Sequence, residues 1–133
     1  GNLATYACSY LPDSLFERVD AIYSYDAPGL NKAIIETEGY QRTSPNIRRF
    51  VPQGSIVGMM LEVPEPTTIV KSHAFGGFAQ HDAFTWETKD YSFVTVSETS
   101  PDSQQTDLTL KQWVRETSAE ERKKFFDTFF GIF

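Results

Sequence analysis

The chain has 133 residues and a formal net charge of −6, from 18 acidic and 12 basic residues. Its hydrophobic content of 40%, with 11 Phe, 6 Tyr and 2 Trp, is typical of a globular domain and argues against a disordered chain. The acidic balance argues against a nucleic-acid binder, and the single cysteine excludes an intrachain disulfide or a cysteine-based zinc cluster. No apolar run approaches the ~20 residues that span a bilayer and no signal peptide is visible, so we expect a cytoplasmic protein.

The first part of the chain alternates between helix and strand signals. Residues 2–11 place their apolar side chains on one helical face and predict a helix. Residues 19–25 alternate in the manner of a strand and run into a turn. Residues 30–38 predict a second helix with Gly39 just past its end. After a polar stretch that fits a loop or a short helix, residues 47–51 predict a second strand.

The middle of the chain is rich in β-forming residues. Residues 55–62 and 67–74 are two such runs, and the two prolines between them favour a hairpin-like connection. A glycine-rich loop at 75–82 follows. Residues 84–96 alternate loosely and predict a single edge strand.

The end of the chain predicts helices. Residues 98–107 are polar and predict a linker, and an apolar patch around Trp113 follows. Ser118 and Glu121 form an S-x-x-E capping box, which predicts the start of a last helix. Because strands alternate with helices along the chain, we expect an α/β fold with a partly parallel sheet. The phenylalanines with helical spacing after the capping box are Phe125, Phe126, Phe129, Phe130 and Phe133.

His81 is the strongest single candidate for chemistry. It lies in a loop after a predicted strand, where α/β proteins gather catalytic groups, and a neutral imidazole is the usual base for a serine nucleophile. The alternative is a loop histidine bonded to nearby backbone. Asp26, at the end of the first predicted strand, is either a functional carboxylate or a turn residue that caps the next helix. We expect His73 to be a hydrogen-bonded residue of the core or sheet face, and no spacing indicates a metal or cofactor site.

Short motifs are spread over most of the chain in a fixed order. None of them is diagnostic by itself, and their order is more specific than any one of them. They are GNLA at 1–4, YDAPG at 25–29, VPQGSIVGM at 51–59, VKS at 70–72, QHDAFTW at 80–86, and the Trp113 helix with EER at 120–122.

In this order the motifs resemble the C-terminal part of the bacterial Mbeg-like proteins, a family of unknown function related to the class 3 lipases of the α/β-hydrolase superfamily. The resemblance implies a single truncated domain over residues 1–133, with a partial, mostly parallel sheet flanked by helices. It implies parallel strands at about 19–25, 47–51 and 67–73, and an antiparallel arm at 55–62. In that family a Gly-His-Ser-x-Gly-Gly elbow precedes Asn-Leu-Ala. Gly1 would match its last glycine, and the nucleophilic serine would lie upstream.

The resemblance also places His81 at the position of the base in a catalytic triad. The relatives carry the acid in a loop that here reads Gln53-Gly54-Ser55, without a carboxylate. Either Asp26 serves as the acid from the neighbouring strand end, or the triad is incomplete.

These features support two main functional hypotheses. The first is a serine hydrolase of ester or lipid acyl substrates, in which this chain alone is inactive because the nucleophile and oxyanion hole lie elsewhere. The second is a non-catalytic interaction or scaffold domain on the same fold, and a third, weaker one is a peripheral membrane protein. The strand at 19–25 would be left as an apolar sheet edge, which predicts a homodimer through that edge.

Overall fold

The computed structural model describes residues 1–131 and has an α/β fold. Within these residues, six short strands form a four-stranded sheet, in the order β1-β2-β3-β6, and a separate β4-β5 hairpin. The first three strands of the sheet are parallel, as expected, and β6 pairs antiparallel with β3. The strands are β1 (Ile22–Tyr25), β2 (Ile47–Pro52), β3 (Thr67–Val70), β4 (Thr88–Lys89), β5 (Ser92–Phe93) and β6 (Thr95–Val96).

Helices flank the sheet. Helix α1 packs against α4 and against β1, and the first turn of α5 is held near the carboxyl end of β2 by bonds from Ser100 and Ser103. In the part of the chain that the structure describes, no helix is both long enough and apolar enough to cross a membrane. The helices are α1 (Asn2–Ser9), α2 (Asp13–Phe16), α3 (Lys32–Ile35), α4 (Glu38–Thr43), α5 (Pro101–Glu116) and α6 (Ala119–Gly131).

The central strand β2 contributes side chains to both faces of the sheet. Its register places Arg49 beside Ser24 of β1 and Thr67 of β3, on the face that α1 covers. The other face carries Phe50 in an aromatic cluster with Tyr25 and Phe93, whose ring centroids lie 5.6 Å from that of Phe50. Val51, with no exposed surface, lies in the core.

Two predicted elements in the first half differ from the structure. The helix expected at 30–38 ends after Ile35, because Thr37 accepts a hydrogen bond from the backbone of Tyr40 and starts a new helix. Gly39 therefore lies inside α4 rather than past a helix end. The antiparallel arm expected at 55–62 is wrong: a 3-10 turn, Val57–Met59, occupies it, because its backbone bonds inward to buried side chains.

The second half differs in two further places. The linker expected at 98–107 is largely the first half of α5, because Ser100 caps the helix and Pro101 occupies its first position, where proline is well tolerated. The single edge strand expected at 84–96 is instead three strands of two residues each.

The predicted capping box is present at the start of α6. The backbone and hydroxyl of Ser118 both donate to Glu121, and these bonds lower the pKa of the Glu121 carboxyl. Trp113 of α5 packs edge-on against Phe125, with 5.1 Å between ring centroids. The predictions for Phe133 and for the side chains of Phe129 and Phe130 lie outside the described residues.

The core position of Val51 gives a stability prediction. We expect Val51→Ala to lower the free energy of unfolding by about 2 kcal/mol, since it removes two buried methyl groups and leaves a cavity. The measurement is urea unfolding followed by circular dichroism. Val114→Ala, the same change at a position 37% exposed, is the control. An equal decrease in the free energy of unfolding in both variants would contradict the assignment of Val51 to the core.

Candidate functional site

Asp26 is a fully buried carboxylate at the carboxyl end of β1. Its backbone N–H donates to the carbonyl of Phe50 at 2.8 Å, which extends the pairing of β1 with β2 by one residue. Its φ is +47°, a left-handed conformation that few residues other than glycine, asparagine and aspartate adopt easily. The chain therefore turns sharply at Asp26 and directs the carboxylate into the protein.

One oxygen of that carboxylate is held by the loop that follows β2. Asp26 Oδ1 accepts hydrogen bonds from Ser55 Oγ at 2.5 Å and from the backbone N–H of Gly58 at 3.1 Å. Gly58 has to be a glycine, because a Cβ at this position would collide with Asp26 Oδ1, Ser55 Oγ and Val51. These bonds offset the cost of burying the carboxylate.

The other oxygen of the carboxylate contacts His81. Asp26 Oδ2 lies 2.9 Å from His81 Nδ1, and the histidine side chain is 48% exposed. Among the described residues, His81 Nε2 has no hydrogen-bond partner. The structure thus brings together the two site residues predicted from the sequence, although they lie 55 positions apart along the chain.

The turn that carries His81 is fixed by its neighbour Gln80. Gln80 Oε1 accepts from the backbone of Gly54 at 2.9 Å, and Gln80 Nε2 donates to the carbonyl of Ala74 at 3.1 Å. Trp86 Nε1 donates to the Gln80 carbonyl at 2.8 Å. The Gln80 side chain therefore links the loop that follows β2 to the loop that follows β3, next to His81.

Arg49, on strand β2, is a buried side chain near the Asp26 carboxylate and is 6% exposed. Its guanidinium donates to the carbonyls of Ala27 and Gly58 and to Thr67 Oγ1. Burial lowers the pKa of Arg49, and the negative charge of Asp26 opposes that shift. The site therefore contains a buried positive charge close to its buried negative charge.

The start of α1 lies beside the same strand end. Gly1 sits against Ser24 and Ala27, with no room for a side chain between them. These two residues flank the position of Asp26 along the chain. The backbone that enters α1 therefore lies next to the end of β1 that precedes Asp26.

Asp82, the neighbour of His81, and His73, the second histidine of the chain, have different roles. Asp82 accepts a hydrogen bond from the backbone of Phe84 at 3.0 Å and caps the next 3-10 turn. His73 lies past the end of β3 and is exposed, so the prediction that it belongs to the core or sheet face is wrong. Within residues 1–131, no three His, Cys, Asp or Glu side chains are grouped so that they could hold a metal ion.

Three residues of the site were missed from the sequence: Arg49, Ser55 and Gly58. The signal for Arg49 was available, because a charged residue at an inward position of the alternating strand IRRFV has to be compensated inside the protein. Ser55 and Gly58 gave no such signal, because their contacts depend on a turn that the apolar run concealed.

A cavity of about 730 Å³ lies on the Arg49 face of the sheet, beneath α5. Val51, Ile69 and Leu110 contribute to its apolar lining. Neither Asp26 nor His81 lines it, so it is separate from the Asp26–His81 pair.

The comparisons with known proteins give one result. The family model described as Mbeg1-like matches residues 1–131. Comparison with curated proteins and with solved structures gave no match.

The Asp26–His81 contact predicts the tautomer of the histidine. Asp26 accepts from Nδ1, so we expect neutral His81 to carry its proton on Nδ1, whereas an exposed histidine such as His73 prefers Nε2. Long-range ¹H–¹⁵N correlation spectra distinguish the two forms, and His73 is an internal control because the chain has 2 histidines. Asp26→Ala should convert His81 to the Nε2–H form. The same tautomer in wild type and variant would rule out the contact in solution.

Proposed function

This chain belongs to the Mbeg1-like family, and we propose that its Asp26–His81 pair is the acid and base of a serine-type hydrolase acting on ester or lipid acyl substrates. The observation that carries the proposal is the contact between a fully buried carboxylate and a half-exposed imidazole. An ionised carboxylate that accepts from Nδ1 leaves the lone pair of Nε2 directed away from it. That is the arrangement a general base needs.

The proposed reaction uses each group in a defined role. His81 Nε2 takes the proton of a serine hydroxyl as the serine oxygen attacks the acyl carbonyl. The resulting imidazolium, stabilised by Asp26, gives that proton to the leaving alkoxide, and an acyl-enzyme remains. Water then repeats the sequence: His81 accepts its proton, the acyl group leaves as a carboxylic acid, and the serine recovers its proton.

We propose that the nucleophile is a serine in the polypeptide just N-terminal to Gly1. The position of Gly1 against Ser24 and Ala27 supports this, since chain that enters α1 there passes the end of the strand from which Asp26 follows. Within the described residues, no serine hydroxyl bonds to His81, and the buried Ser55 hydroxyl donates to the acid instead. The 133-residue chain alone is then expected to have no turnover.

The proposal predicts His81-dependent labelling by a fluorophosphonate probe. We expect the full-length protein to be labelled on a serine N-terminal to Gly1, identified by mass spectrometry. His81→Ala should reduce the labelling rate by about 10³-fold, because the serine loses its base. His73→Ala is the matched control and should retain the wild-type rate, since His73 lies exposed outside the site.

The outcome of this experiment separates the two functional hypotheses. Labelling that His81→Ala leaves unchanged would show that His81 is not the base. A folded full-length protein that is not labelled would favour the non-catalytic scaffold, with the Asp26–His81 contact serving only to join two loops.

We further propose that the 133-residue chain forms a homodimer through the outer edge of β1. This strand pairs only with β2 within the described residues, and Tyr23 and Tyr25 beside that edge are exposed. An unpaired edge with apolar side chains favours pairing with another strand. Residues adjacent in a strand direct their N–H groups to opposite sides, so the N–H of Tyr23 faces outward while those of Ser24 and Asp26 face β2.

The dimer predicts a specific effect of proline at the outer edge. Tyr23→Pro removes an outward N–H and leaves the bonds to β2 in place, so we expect a shift from dimer to monomer. Light scattering coupled to gel filtration measures the shift, and Tyr23→Phe, which keeps the outward N–H at the same position, is the control. A wild-type chain that is monomeric at every concentration would exclude the dimer.

A further inference from the structure

We infer that Arg49 is a positioning residue for the proposed acid and base: its guanidinium ties together the two backbone segments that fix the Asp26 carboxylate. The inference deepens the proposed function and rests on it for the catalytic consequence. The structural consequence, an altered Asp26–His81 contact, can be measured without any enzymatic activity.

The surroundings of Arg49 are unusual for a buried charge. The residue is 6% exposed, yet no carboxylate of the described residues lies within 4.0 Å of it. Its three donor nitrogens instead bond to neutral oxygens: Nη1 to Ala27 at 2.9 Å, Nη2 to Gly58, and Nε to Thr67 Oγ1 at 3.1 Å. A buried guanidinium that is not ion-paired is costly, so its position calls for an explanation beyond stability.

The carbonyls of Ala27 and Gly58, to which Arg49 donates, explain its position. Ala27 directly follows Asp26, whose left-handed backbone sets the direction of its side chain. Gly58 is the residue whose N–H donates to Asp26 Oδ1. One planar group therefore holds the segment that bears the carboxylate and the segment that binds one of its oxygens. With both segments fixed, Oδ2 remains aimed at His81.

The geometry requires arginine rather than positive charge alone. A guanidinium donates in two fixed directions and so bridges two carbonyls, whereas the single ammonium of lysine is a point charge on a flexible stem. Arg49→Lys therefore keeps the charge near Asp26 and loses the bridge. The neighbouring Arg48 is a matched control: it is exposed, and among the described residues its side chain bonds only to the carbonyls of Pro45 and Ile47.

The test compares the His81 tautomer, read from long-range ¹H–¹⁵N spectra, in wild type, Arg49→Lys and Arg48→Lys. We expect Arg49→Lys to shift His81 from the Nδ1–H form towards the Nε2–H form, and Arg48→Lys to leave it unchanged. Ile47→Val, which removes one buried methyl from the same strand, controls for simple loss of stability. In the full-length protein, we expect Arg49→Lys to lower kcat on a p-nitrophenyl ester by about 10- to 100-fold with little change in KM.

A milder variant covers the case in which Arg49→Lys does not fold. Thr67→Val removes the acceptor of Nε from an exposed residue, and we expect a smaller tautomer shift in the same direction. An unchanged His81 tautomer in the folded Arg49 variant, or in Thr67→Val when the former is unfolded, would overturn the inference. So would an equal shift in Ile47→Val. A tautomer shift in a protein that the fluorophosphonate does not label would refute the proposed function and leave the positioning role intact.

Discussion

The burial of the Asp26 carboxylate is the constraint on which the carboxyl end of this sheet depends. An ionised carboxylate without exposed surface is stable only when its oxygens accept hydrogen bonds or face positive charge. Asp26 Oδ1 accepts hydrogen bonds from Ser55 and Gly58, and Asp26 Oδ2 contacts His81. The loops after three parallel strands thus converge on the Asp26 carboxylate. Removing that carboxylate would remove a hydrogen bond that holds each loop in its conformation.

The same constraint links the helices to the site. Ser103, in the first turn of α5, donates to the carbonyl of Ser55 at 2.6 Å, and Ser55 in turn donates to Asp26. The backbone of Ser100 donates to Gln53 in the same loop. Helix α5 is therefore anchored by polar contacts to the loop that binds the carboxylate, while much of its length borders the cavity on the Arg49 face.

The elements that follow local rules could be predicted from the sequence, and those set by distant contacts could not. The strand at 19–25 followed from alternation and the one at 67–74 from its β-forming residues, while Asp26 and His81 followed from their places at strand ends. Their contact joins residues far apart in the sequence, so no local pattern could give it. The run at 55–62 contains strand-forming residues such as Ile56 and Val57, but the bonds of Gly58 to Arg49 and Asp26 hold it as a turn. By contrast, the polar residues that suggested a linker before Leu108 concealed a helix start that Ser100 and Pro101 encode locally.

The way Gln80 is held has a consequence for how this protein can vary through evolution. The Gln80 side chain bonds to the backbone of Ala74 and Gly54, so both ends of the segment 75–79 are held in place. Within this segment the carbonyls of Gly76 and Phe78 accept from the backbone of Gln80 and His81, and Gly77 has no room for a side chain against Ile56. Gly76 has a φ of +87°, which also favours glycine, whereas Phe75 is fully exposed. Relatives can therefore differ at position 75 at little cost, while changes to the rest of this loop would disturb the turn that carries the imidazole.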